Sequence, residues 1–566
     1  MMVRTRSVDA FRIPSLIFVL LIHFICVIHA GPQYDYSAYT DCSYHPQAPL
    51  YNGGVLVDKS GRIPMTYHKT ETGIASPAFL LHNLTANTMY SFSCWVKIHG
   101  TSSALLRATI STEGVTLHCI GTVLAKSGCW SFLKGGFVLD AFSRSSILYF
   151  QVEHEYIVSN SGKRFTAALF GGAVVKTART EHPNNTQIDL NWQKRKRAAT
   201  IQAVDGEGNP IAGANVSIQQ SSKDFPFGSA IAGTILGNKQ YQRWFAERFN
   251  VAVFENELKW YATEPQPGKL NYALADDMLK FVRSNKIMAR GHNIFWENPT
   301  CAPEWVQNLT GGDLRAAVKS RIRSLLSRYR GQFIHWDVNN EMLHFDFYEQ
   351  RLGENASTEF FRTAQQADPL ATLFMNEFNV VETCSDEQST VDTYISRLKQ
   401  LRNGGAPMLE GIGLQGHFGR PNIPLMRAVL DKLASLGLPI WLTEVDIAQN
   451  LGEHRQGVFL EEVLREAFAY PSVSGIVLWA ALHPDGCYQM CLTDGGLGNL
   501  PTGEVVENLL REWETKEGGA SDEHGQYSFV GFLGEYKVSV VDGNKSAEIT
   551  MFLSRSDETK HVVVQL

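Results

Sequence analysis

Phe333-Ile334-His335-Trp336-Asp337-Val338-Asn339-Asn340-Glu341 runs from apolar residues into a polar cluster and ends on a carboxylate. About a hundred residues later, Pro439-Ile440-Trp441-Leu442-Thr443-Glu444-Val445-Asp446 follows the same plan. Each reads as a buried β-strand delivering a glutamate at its C-terminal end. A carboxylate is costly to bury without partners, so one at the end of an apolar strand is either salt-bridged or part of a site. Two on parallel strands of one barrel would face each other across its mouth.

From Phe225 onward the pattern repeats around this pair as apolar strand, then helix. The strands expected are Phe227–Ala232, Val251–Glu255, Ile287–Ile294, Phe333–Val338, Leu373–Phe378, Gly411–Gly416, Ile440–Asp446 and Gly475–Trp479. Between them lie helical periodicities such as Tyr241–Arg248, Leu274–Ser284, Asp313–Tyr329, Glu387–Arg402, Pro424–Leu436 and Val458–Tyr470. Eight such units are the count of a (β/α)8 TIM barrel, expected over 225–514, and functional residues of that fold sit at strand C-termini. Those ends carry Asn256 and Lys259, His292 and Trp296, Asn340 and Glu341, Asn376, Gln415 with His417, Glu444 with Asp446, and Trp479. Carboxylates, amides, imidazoles and tryptophans suit a neutral polyhydroxylated ligand. The sequence shows no phosphate loop, metal-ligand cluster or Ser-His-Asp order, so no cofactor and no metal is expected.

These blocks, in order on six strands, resemble glycoside hydrolase family 10, the barrel xylanases, and especially their plant members. The resemblance runs from about Phe225 to Trp513. It implies endo-cleavage of β-1,4-xylan with retained configuration, Glu341 as acid/base and Glu444 as nucleophile. It further implies that His417, oriented by Asp446, supports the nucleophile, and that Asn340 holds a sugar 2-hydroxyl. Asn256, Lys259, His292 and Gln415 match substrate-side hydrogen bonders, and Trp296 and Trp479 the walls. A retaining glycosidase needs one ionised and one protonated carboxyl close together, which agrees. The sequence departs from the family after Trp296, where Glu297, Asn298 and Pro299 stand, and after Trp479, where Ala480 follows and Cys487 lies near an expected second tryptophan. Tyr488 is the candidate replacement ring. Two alternatives share these residues: a xylan endotransglycosylase, and a catalytically silent wall-polysaccharide-binding protein.

The rest of the chain surrounds this barrel. With 566 residues, 44% hydrophobic and 19% charged, it is globular and long enough for several domains. A formal charge of −6 is small for this length and implies no polyanionic partner, so nucleic acid is disfavoured. Residues 1–30 have three arginines, an apolar run from Ile13 to Ile28 and Ala30, the layout of a secretory signal peptide, with a signal anchor as the alternative. No later segment is long and apolar enough to span a membrane. Beyond Cys26, four cysteines fall early (42, 94, 119, 129) and four late (301, 384, 487, 491), even counts that suit disulfides in an oxidising compartment with the connectivity left open, and Cys487 and Cys491 are better read as disulfide partners than as zinc ligands. Sequons at Asn83, Asn184, Asn215, Asn308, Asn355 and Asn544 agree with secretion to the cell wall as a glycoprotein, and a monomer is expected.

Residues 34–190 show short β-rich runs (Tyr90–Ile98, Ala104–Ile110, Cys129–Leu133, Ser146–Val152, Ala167–Val175) separated by turns, the signature of a β-sandwich. Its Cys94-Trp95 and Gly128-Cys129-Trp130 blocks resemble family 22 carbohydrate-binding modules, which implies a grip on xylan. Trp95, Trp130, Tyr149 and Tyr156 are stacking candidates where exposed. Residues 191–199, with Lys194-Arg195-Lys196-Arg197, read as a solvated linker. Residues 200–222 read as a β-hairpin and 525–566 as a β-rich tail, each too short for its own core. Barrel termini are neighbours, so the two pieces are expected to form one small discontinuous sandwich at the barrel face away from the glutamates.

Overall fold

Eight parallel strands close into a barrel in the computed structural model, which describes residues 40–42, 65–69, 75–99, 102–112, 115–152, 166–177, 194–406, 409–483 and 485–566. The strands are Phe227–Ile231, Val251–Phe254, Met288–Gly291, His335–Asp337, Thr372–Glu377, Leu409–Leu414, Ile440–Ile447 and Val473–Leu478. The first pairs with both the second and the eighth, Gly228 beside Val251 and Phe227 beside Ile476, and this closes the sheet. Every strand is buried on both faces, the reason its sequence is continuously apolar rather than alternating. Size is matched across neighbouring strands: a Cβ at Gly475 would meet the ring of Trp441 at 2.4 Å, so only glycine fits beside it.

Helices cover the outside, including Lys239–Ala246, Ala273–Ser284, Gly311–Tyr329, Val391–Asn403, Ile423–Ala434 and Glu453–Ala469. Two more, Ala356–Ala367 and Pro501–Glu512, add to those expected from the sequence. In Ala273–Ser284 the buried residues Ala275, Met278, Leu279 and Val282 follow the i, i+3, i+4, i+7 spacing that turns one helical face to the strands.

The N-terminal region is a sandwich of two antiparallel sheets with a core that includes Tyr90, Phe92, Leu106, Ile110 and Phe137. It is docked on the barrel rather than suspended from it. Lys134 pairs with the buried Asp431, Asn422 donates to the Gly136 carbonyl at 2.9 Å, and the Leu124 amide donates to Asp392 at 3.1 Å. A disulfide joins Cys119 to Cys384 across this contact, whereas Cys42–Cys129 stays within the N-terminal region and Cys487–Cys491 within the barrel segment. The connectivity, which the sequence left open, thus ties the two halves together through Cys119, and Cys94 and Cys301 are free thiols. Of the stacking candidates, Trp95 and Tyr149 are buried and Trp130 is half-buried, with Trp95 packed on Phe132 at 4.9 Å. Tyr156, Asn184 and residues 1–30 lie outside the described residues, and the other five sequon asparagines are exposed.

The small discontinuous sandwich is present, with two departures. Lys196–Val204 pairs with Gln526–Phe532 and Lys560–Gln565, while Asn215–Lys223 pairs with Lys516–Ala520 and Gly534–Asp542. The two pre-barrel strands thus enter opposite sheets rather than forming a hairpin. Their apolar residues, Ile201 and Ala203 against Val216 and Ile218, face each other across the core, a placement one two-stranded ribbon cannot give. The second departure is the basic run, which is not a solvated linker. Arg195 donates to the carbonyls of Phe468, Tyr470 and Val473 at the start of the eighth strand, and its guanidinium lies 4.3 Å from the Phe225 ring. Phe532 completes the joint by packing into the barrel core.

Ending the chain after Thr515 removes the strands that cover Ile201 and Ile218. The melting temperature should then fall by at least about 5 °C and residues 196–223 become protease-sensitive. Calorimetry and limited proteolysis check this, and an unchanged melting temperature contradicts it.

Candidate active site

The C-terminal ends of the strands converge on two carboxyls, Glu341 and Glu444, both buried. Glu341 sits just past the fourth strand, its backbone held at φ 61°, a conformation that costs a non-glycine residue and must be stabilised by its surroundings. Its carboxylate accepts from Trp296 Nε1 at 2.6 Å and Gln415 Nε2 at 3.0 Å. Burial nevertheless dominates, and its pKa lies above the usual range, with Glu444 adding to the rise.

Glu444 lies within the seventh strand and is treated oppositely. Burial pushes its pKa up, but the charges of His292, His417 and Lys259 outweigh this and bring it down to about 2. Asn376 Nδ2 donates to its Oε1 at 2.7 Å. His417 stands with Nε2 3.5 Å from Glu444 and Nδ1 2.9 Å from Asp446. Burial works against charge on this imidazole, yet the two carboxylates raise its pKa well above the ordinary range, so it stays a cation.

Around the pair, Lys259 Nζ donates to Asn256 at 3.1 Å and lies 4.6 Å over the Trp296 ring and 5.9 Å from Trp479. His292 packs on Trp479 at 5.4 Å, with Nδ1 2.9 Å from Asp337 and 3.9 Å from Glu444. Asn340 Oδ1 accepts from Asn376, while its Nδ2 is buried without a partner among the described residues, a donor left for a ligand. The structure therefore brings together all eleven residues singled out in the sequence: Asn256, Lys259, His292, Trp296, Asn340, Glu341, Gln415, His417, Glu444, Asp446 and Trp479.

Sequence reading assigned no part to two further groups, Asn376 and Asp337, and only part of the role of Trp296. Asn376 links Asn340 to Glu444 and is oriented by Thr443, whose hydroxyl donates to Oδ1 at 2.5 Å. Asp337 receives Arg290 at 2.7 Å as well as His292, so the layer under the site is ionic. Trp296, read only as a wall, is also a donor to Glu341. The signal available for Asn376 and Asp337 was a polar residue inside an apolar strand. Glu297, one of the departures, is not a site group: it is fully buried and accepts from Asn339 and from the Tyr348 amide.

A closed parallel barrel with one carboxyl of raised and one of lowered pKa, tryptophan walls and an unpartnered amide donor at its mouth has the construction of a glycoside hydrolase. Residues 217–486 match the family described as glycosyl hydrolase family 10. Over 542 residues the chain is 34% identical to endo-1,4-beta-xylanase 5-like of Arabidopsis thaliana, covering 93% of this chain and 92% of that one. Endo-1,4-beta-xylanase 1 of the same plant is also 34% identical over 90% of this chain, which spans 53% of that relative. The solved xylanase 10B of Thermotoga petrophila in complex with xylobiose is 22% identical, covering 51% of this chain and 94% of that one, with a TM-score of 0.46. The chain belongs to glycosyl hydrolase family 10.

The two carboxyls should titrate far apart, Glu444 remaining ionised down to about pH 2 and Glu341 protonating above the usual carboxylate range. Gln415→Ala removes a donor that favours ionised Glu341, so that titration should move further up while Glu444 hardly moves. Carbon-13 NMR of glutamate-labelled protein, assigned with Glu341→Gln and Glu444→Gln, reads both. Coincident titration at about pH 4 would contradict the electrostatics.

Proposed function

We propose that this protein is an endo-1,4-β-xylanase that cleaves internal xylosidic bonds with retention, using Glu444 as nucleophile and Glu341 as acid/base. The observation that carries this reading is the opposite treatment of two buried carboxyls at one barrel mouth, one held ionised and one poised to keep its proton. A Glu444 oxygen attacks the anomeric carbon as the bond to the leaving sugar oxygen breaks, and Glu341 gives that oxygen its proton. Water, losing a proton to Glu341, then attacks the same carbon and releases Glu444. The imidazolium of His417 keeps Glu444 charged and aimed. The free Nδ2 of Asn340 is the donor for the 2-hydroxyl, whose hydrogen bond strengthens in the transition state. Asn256, Lys259 and His292 hold the glycone, against Trp296 and Trp479. Tyr488, largely exposed with its ring 5.3 Å from His417, offers an aromatic surface at the rim where the family pattern has tryptophan.

Secretion belongs to the same proposal. It is supported by disulfides among the described residues and by exposed sequons. The N-terminal sandwich is proposed as a xylan-binding module on its sequence resemblance. The full chain should still be retained on insoluble xylan when its barrel is blocked by a slow fluorosugar inhibitor, and loss of retention would contradict that role.

Glu444→Ala should abolish turnover of every substrate. Glu341→Ala should lose xylan hydrolysis but keep reaction with an aryl xylobioside whose leaving group needs no proton, and azide should restore its turnover with retained configuration. Equal loss in both variants on every substrate would contradict the assigned roles.

A further inference from the structure

Three acidic side chains outside the proposed chemistry converge on the backbone that carries it. Glu377, fully buried at the end of the fifth strand, accepts from the Leu343 amide at 2.8 Å and faces His344 Nδ1 at 2.7 Å. These residues form the turn that follows Glu341, where the His344 and Phe345 amides donate to the Glu341 carbonyl. The other nitrogen of His344 lies 2.9 Å from Asp386, and its ring stacks on Phe378 at 3.7 Å. Both nitrogens therefore face carboxylates. Burial opposes charge on this imidazole, but Asp386 and Glu377 raise its pKa to about 9. The third acid, Glu382, reaches the other half of the site: its Oε1 accepts from the amides of Gly416 and His417 at 2.9 and 3.1 Å. Gly416 has φ +95°, so this bend is set by glycine and secured by Glu382, and it aims the His417 ring at Glu444.

Glu382 and Asp386 belong to one loop, and between them lies Cys384, bonded to Cys119 of the N-terminal sandwich. Arg107 of the same sandwich donates to the Ser385 carbonyl and pairs with Glu387. One short, externally anchored segment thus supports the backbone next to Glu341 and next to His417. We propose that residues 381–386, together with Glu377 and His344, form a clamp that positions both glutamates, with Asp386 and His344 acting on Glu341 and Glu382 acting on Glu444. This rests on the roles proposed above for the two glutamates.

The leaving group separates the two arms. In the full chain, Asp386→Ala should lower kcat/KM on phenyl xylobioside about 10-fold or more, but on dinitrophenyl xylobioside less than about 3-fold, because kcat/KM reports formation of the glycosyl-enzyme and only the former substrate needs the proton of Glu341 in that step. Asp386→Asn, which keeps an acceptor, should recover part of the loss. His344→Gln, which drops the link to Asp386, should show the same dependence independently. Glu382→Leu should instead lower kcat/KM on both substrates about 10-fold or more through a misplaced His417, with Glu382→Gln recovering most of it. Glu341→Ala in the same assay reports the underlying roles. If it too shows no leaving-group dependence, the role assignment falls. If it shows the dependence while Asp386→Ala and His344→Gln do not, the clamp alone is overturned. A lowered melting temperature with unchanged kinetics would also overturn it, since that is what a merely structural loop gives.

Discussion

Two carboxyl groups buried at one barrel mouth repel each other when both are ionised, and the rest of this structure follows from how that is resolved. The solution is asymmetric. Glu444 has the His417 imidazolium and the Lys259 ammonium near it, with the His292 ring beside it and the Asn376 amide on one oxygen. Glu341 receives only neutral donors, from Trp296 and Gln415, so burial governs its proton. Both imidazoles are held from behind by a carboxylate, His417 by Asp446 and His292 by Asp337, which Arg290 balances in turn. Alternating charge extends into the barrel, and apart from Lys259, which caps the short helix Trp260–Thr263, its members sit on a strand or directly after one, where position is fixed by closed-sheet pairing.

Much of this was legible in the sequence. Burial on both faces makes each strand continuously apolar, so the polar residue that ends a run stands out; Glu341, His292 and Gln415 were found that way. Asn376 and Asp337 were visible by the same rule but carried no role, because their function lies in whom they touch, and strand order alone does not say that Asn376 meets both Asn340 and Glu444. His344, Glu382 and Asp386 were less accessible still. They lie in turns with no periodicity, and only the folded chain shows their carboxylates and ring spent on amides and partners from other loops. Arg195 shows the limit from the other side. A four-residue basic run reads as solvent-facing, yet here one guanidinium caps three carbonyls at the foot of the eighth strand.

The two accessory sandwiches meet the barrel differently. The small one is built from both ends of the barrel segment and joins them through Phe532 and Arg195, bracing closure from the face opposite the glutamates. The N-terminal one sits on the flank, covering the helix Ile423–Ala434, and its disulfide lands on the loop after the fifth strand. A covalent tie at that loop places the accessory domain two residues from each of Glu382 and Asp386. The module's docking face and the order of the site thereby become parts of one mechanical unit.

The central claim is that Glu444 carries the covalent bond and Glu341 the proton. Trapping the protein with a 2-fluoro xylobioside bearing an activated leaving group, followed by peptide mass spectrometry, tests it most directly. The account predicts one sugar per chain, attached at Glu444 within Trp441–Asp446, in the wild type and in Glu341→Ala alike. A sugar attached to another carboxylate would contradict it, as would a protein that turns over xylan yet traps no intermediate.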